Sequence, residues 1–277
     1  GGGGPVPFVA GTLGGQLVTA TQDRTSAPPL TPYITVEPVN RRPRPAPFPL
    51  SLYQAAVGKK WVMAITGIGL MGFVLAHMIG NLKMYMGPEA VFDYAEFLRR
   101  LGHPLVPDHT VLWLMRIGLI VMFILHLHSA YSLTMMNRRA RPTRYQSKRD
   151  YIAANFASRT MRFSGILLLA FILMHLANLT WAWFPEEVHA NHVPVGVPVY
   201  DNIVASLSIP WIAAAYIVGQ LALGVHLFHG AWSIFQSLGV NNPSYNALRK
   251  WFAVGFAVLV AGANISFPIA VLTGVVS

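Results

Sequence analysis

Five stretches of this chain, at about residues 61–86, 109–136, 163–183, 210–237 and 251–275, are apolar almost throughout. A helix rises about 1.5 Å per residue, so roughly 20 residues cross a hydrocarbon core of about 30 Å. Lipid offers no partners to backbone N–H and C=O groups, which leaves only helices and closed barrels as spanning structures. Runs this long, without the period-two alternation of a barrel strand, are helical. The expected fold is therefore all-α, an integral membrane bundle of five transmembrane helices. Only 11% of the residues are charged, well below the share of about 25% in soluble domains.

The segments between the spans fix the expected organisation. Residues 1–50, rich in Gly, Pro and Thr, read as a flexible extension with no signal peptide, and 51–277 as the membrane domain. After a Gly-Pro start, 88–101 is amphipathic and reads as a short interfacial helix. Lys59 and Lys60 precede the first span; Arg138, Arg139, Arg141, Arg144, Lys148, Arg149, Arg159 and Arg162 lie between the second and third; Arg249 and Lys250 precede the fifth. With five spans all three basic segments share one side, whereas 184–209 carries Glu186, Glu187 and Asp201 and no Lys or Arg. The positive-inside rule then puts the N-terminus in the cytoplasm. The net charge of +10 is accounted for by this role, so nucleic acid is not an expected partner.

Four of the spans each hold a histidine deep in apolar sequence: His77, His126, His175 and His226. Ionisable side chains at such depth are costly and are commonly functional. Counted from the span ends, His77 and His175 fall in the outer half and His126 and His226 in the inner half. The two levels come out about 8–10 Å apart. Facing imidazoles in a helical bundle can clamp a haem iron axially, and stacked centres would carry electrons across the bilayer. His128 points away from His126 on its helix, and His229 lies one turn from His226; they are the alternate ligands. The chain has no cysteine, which excludes disulfides, thiolate catalysis and a self-contained iron–sulfur cluster.

The residues around these histidines carry a resemblance. The first span offers Gly58-Lys59-Lys60, Thr66-Gly67, His77-Met78-Ile79-Gly80-Asn81-Leu82, Tyr85 and Gly87, then Tyr94-Ala95 and Leu98-Arg99. The second offers Arg116, His126, Leu133-Thr134 and Asn137-Arg138-Arg139-Ala140-Arg141-Pro142; the third Arg162, Ser164-Gly165 and His175-Leu176; the fourth His226-Leu227-Phe228-His229-Gly230, Ser233, Phe235-Gln236 and Leu238-Gly239. Over about 51–275 the chain resembles the cytochrome b membrane anchor of succinate:quinone oxidoreductases (complex II), in the five-helix, single-anchor, two-haem form of actinobacteria and other menaquinone users.

That resemblance implies a respiratory-chain and tricarboxylic-acid-cycle subunit in a bacterial plasma membrane, with its basic loops cytoplasmic. Its partners would be an FAD-bearing flavoprotein, an iron–sulfur subunit, lipid and menaquinone, with a homotrimer of complexes as the larger assembly. His77 with His175 would hold the haem b farther from the catalytic subunits, and His126 with His226 the nearer one. The alternatives are a fumarate reductase anchor, or a Rieske-type centre that takes cysteines from a partner in place of one haem. By charge and depth, Arg116 and Arg162 are candidates for haem propionates. Quinone candidates at the cytoplasmic edge are Ser51, Lys60, Ser164 and Gln236, with Tyr53 and Lys59 beside them.

Overall fold

The computed structural model describes residues 46–48, 50–140, 154–186, 199–240 and 242–277, with the side chains of 154–159 excepted. Most of the N-terminal extension, and Arg141, Arg144, Lys148, Arg149 and Glu187, therefore lie outside the described residues. The elements in order are α1 (Leu50–Gln54), α2 (Ala56–Asn81), α3 (Pro88–Arg99), α4 (Thr110–Arg139), α5 (Ala154–His175), α6 (Val199–Leu207), α7 (Pro210–Ser237) and α8 (Asn246–Leu272). No strand occurs among the described residues.

Five helical segments are long and apolar enough to span a membrane: Ala56–Met86, Thr110–Arg139, Thr160–Thr180, Pro210–Ser237 and Pro243–Leu272. They match the five apolar runs to within a few residues, except that the fifth begins eight residues before 251. The expected interfacial helix is α3. It opens with Pro88 at its first turn after Gly87 at φ +97°, a conformation that glycine adopts without a Cβ penalty. Tyr94 of α3 lies against Gly80 of α2, where a Cβ would come within 2.5 Å of its ring. Small residues at such contacts let neighbouring elements approach closely.

The closest-packed helix pairs are α7 with α8, α2 with α4, and α5 with α7. Gly224 meets Ala261 across the α7–α8 contact. One apolar cluster joins Met78, Leu223, Leu227, Ala257 and Val260 at mid-span. A second, at the end bearing α3 and α6, joins Met84, Val91, Tyr200, Leu207, Ile212 and Phe267. Lys59, Lys60, Arg138, Arg139, Arg162, Arg249 and Lys250 lie at one end of the spans; the opposite end carries Lys83, Arg99, Arg100 and Arg116 together with all the described acids, Glu89, Asp93, Glu96, Asp108, Glu186 and Asp201.

Candidate redox site

The fold brings the four span histidines together in two pairs. The ring centroids of His77 and His175 lie 6.0 Å apart with planes at 77°, and those of His126 and His226 lie 6.4 Å apart at 65°. A metal–imidazole bond of about 2.0–2.1 Å, with roughly 1.1 Å from nitrogen to ring centre, places two trans ligands of one ion about 6.3 Å apart, centroid to centroid. Two cis ligands at a right angle would lie nearer 4.5 Å apart by the same bond length. Both pairs fit the trans arrangement. The helices within each pair are not close-packed on one another: α4 rests on α2, and α5 on α7. His126, His175 and His226 are only half-buried and His77 is exposed.

Three of the four rings are oriented through Nδ1. His126 Nδ1 lies 3.2 Å from the Met63 carbonyl and 3.2 Å from Thr66 Oγ1. A carbonyl only accepts, so Nδ1 carries the proton. Thr66 donates its own proton to Val62 O at 2.7 Å and so accepts from His126. The Ser164 hydroxyl likewise donates to Met161 O at 3.1 Å and faces His226 Nδ1 at 3.4 Å. His175 Nδ1 donates to Tyr216 Oη at 3.2 Å; Tyr216 donates in turn to Asn178 Oδ1 at 2.8 Å. Asn178 is fully buried, and its Nδ2 donates to Phe184 O at 2.7 Å and Ser206 Oγ at 3.0 Å. In each case protonation at Nδ1 leaves Nε2 with a lone pair, the state a metal-binding imidazole needs, with the other nitrogen held by a partner.

Packing completes the setting. Phe73 stacks on His77 at 5.4 Å and Phe171 on His175 at 5.9 Å. A Cβ on Gly67 would lie 3.5 Å from His126 Cε1, and one on Gly165 3.6 Å from His226 Cε1. These contacts expose a signal that the pairwise reading missed. Met63-x-x-Thr66-Gly67-Ile68-x4-Phe73-x3-His77 repeats as Met161-x-x-Ser164-Gly165-Ile166-x4-Phe171-x3-His175. In each copy the first half seats the histidine of one pair and the second half supplies a histidine to the other. A search for internal repeats finds both anchors at once.

The repeat also corrects the spacing of the levels. Thr66, which touches His126, is 11 residues from His77, as Ser164 is from His175. At about 1.5 Å per residue the levels are about 16 Å apart, not 8–10 Å. The earlier figure treated the span ends as coplanar, but α2 starts at Ala56, five residues before the position used for the count.

The other candidates are placed as follows. His128 turns away from the pair, with Nδ1 2.6 Å from Tyr53 Oη. His229 is buried, with Nε2 2.9 Å from Thr160 Oγ1. Arg116 lies 5.1 Å from the Trp113 ring; Arg116 and Arg162 are exposed, and neither forms an ion pair among the described residues. Ser164 is buried and committed to His226, while Lys60 and Gln236 are exposed and Ser51 half-buried; no hydrogen bond joins these four to each other among the described residues. Among the described residues no group of three or more His, Asp or Glu side chains converges as an all-protein metal cage. The chain matches no protein-family model, no curated protein and no solved structure.

Proposed function

We propose that this chain is the membrane-anchor and electron-transfer subunit of a bacterial succinate:menaquinone oxidoreductase, taking electrons from an iron–sulfur subunit and delivering them to quinone. The observation that carries the reading is the pair of histidine couples at trans-ligand separation, with Nδ1 protonated wherever a partner defines it. A haem b held at each couple would supply one-electron oxidation and reduction. His77 and His175 would hold one haem, His126 and His226 the other, with Arg116 and Arg162 near the two levels as cationic partners for propionates. A haem would need only the imidazoles, whereas a Rieske-type centre would need two thiolates from a partner, since this chain has no cysteine. The basic end, read as cytoplasmic, would meet the iron–sulfur and FAD-bearing subunits. Fumarate reduction by the same complex runs the same conduit in reverse.

The test is the complex purified from membranes carrying His226→Ala. The reading expects the flavoprotein and iron–sulfur subunits to co-purify, succinate to keep reducing a soluble acceptor dye, and succinate-driven menaquinone reduction to be lost. Full quinone reduction in the assembled variant would contradict it.

A further inference from the structure

A further polar cluster lies at the basic end of α2 and α4, beside the paired histidines. Tyr53 Oη lies 2.6 Å from His128 Nδ1 and 3.0 Å from Ser129 Oγ, and the Tyr53 and His128 rings stack at 5.8 Å. Lys59 Nζ donates to the Tyr53 carbonyl at 2.6 Å and lies 4.5 Å from the ring centre. Lys59 and Ser129 are buried, which pins Tyr53, whereas His128 is exposed. The exposed side of His128 opens on a groove of about 220 Å³ along one face of α4, lined by His128, Tyr131, Ser132, Met135, Met136 and Arg139.

Depth selects the ligand chemistry. Tyr53 Oη occupies Nδ1 of His128, which leaves Nε2 as the ring nitrogen that can donate to a ligand or accept from one. From Arg139 to His128 the groove runs 11 residues, about 16 Å of helix rise. A phospholipid with its phosphate at Arg139 would lay acyl chain against His128 and Ser132 and leave both unsatisfied. A lipid-soluble molecule with carbonyl acceptors on a flat apolar ring meets the donors at their depth. His128 is also only two residues from His126, about 3 Å of rise, which puts such a ring near the level of the inner pair.

We propose that this groove binds the head group of a lipid-soluble quinone, with His128 donating to a ring carbonyl and Met135, Met136 and Tyr131 against the ring. The proposal rests on the electron-transfer reading above and puts the acceptor at His128 instead of Ser51, Lys60, Ser164 and Gln236. Tyr53 is a positioning residue that orients His128.

The test is a fluorescence titration of the full chain in lipid nanodiscs with a hydroxyquinoline N-oxide quinone analogue. The expected result is saturable binding, weakened about five- to tenfold in His128→Leu, the loss of one hydrogen bond. Weaker binding is also expected in Tyr53→Phe and Ser132→Ala, milder variants that keep the test open should the first fail to fold. Unchanged affinity in all three, with the wild-type visible spectrum retained, would overturn the site. So would native mass spectra in which Arg139→Gln and His128→Leu release an anionic phospholipid while analogue affinity stays the same. A wild-type chain that binds the analogue but has no bis-imidazole absorbance would keep the site and remove the proposed function.

Discussion

Tyr216→Phe isolates one link between the bundle and a candidate ligand. The substitution keeps the ring and its edge contact with Phe171 at 5.4 Å and removes only the hydroxyl. Two groups then lose a partner: His175 Nδ1–H and Asn178 Oδ1. A buried polar group left unsatisfied costs about 1–3 kcal/mol, the range expected for Asn178 Oδ1, with a smaller addition from the half-buried His175. Intramembrane hydrogen bonds average only about 0.6 kcal/mol where the freed groups find new partners. Asn178 is fully buried and its amide nitrogen is already committed to Phe184 and Ser206, so the larger range governs. Losing the partner of a ligating imidazole also weakens metal affinity about 10–100-fold. The assays are denaturation of the purified chain in detergent and redox titration of its visible spectrum. The expected outcome is lower stability with one of two redox components weakened or lost and the other unchanged. A variant within about 0.5 kcal/mol of wild type, with both components intact, would refute the reasoning.

Two further substitutions probe the packing. At Gly219 a Cβ would come within 2.2 Å of Phe171, whose ring stacks on His175; Gly219→Ala should lower stability by about 1–3 kcal/mol through overpacking, whereas Gly165→Ala, at 3.6 Å from His226, should be tolerated. Equal melting temperatures for the two variants would contradict this. Arg249 is buried, donates to Val240 O and Asn246 Oδ1, and lies 5.2 Å from the Trp232 ring. Arg249→Ala should cost about 2 kcal/mol for two hydrogen bonds, measured as a lower midpoint of unfolding; an unchanged midpoint would count against the staple.

The five spans and α3 were legible because apolar length and amphipathic period are one-dimensional signals. The pairing of His77 with His175 and His126 with His226 was legible too, since helix rise converts position to depth. The separation of the levels was not, because it depends on where each helix starts relative to its neighbours. Ser164 looked like an interfacial polar residue; its partner, His226, is 62 residues away in sequence and becomes visible only through contact or through the repeat. His128 was weighed only as a ligand, since its partner Tyr53 lies on another element. The short helix α6, with its buried Asn202 and Ser206, falls in 184–209, read from sequence only as a segment between spans.

The most direct test of the account is haem content of the purified chain, expressed alone to exclude partner iron. The account predicts two b-type haems per chain by pyridine haemochrome, a reduced-minus-oxidised α-band, and loss of one haem on replacing either histidine of a pair by alanine. A folded chain with no α-band and no bound haem would contradict it.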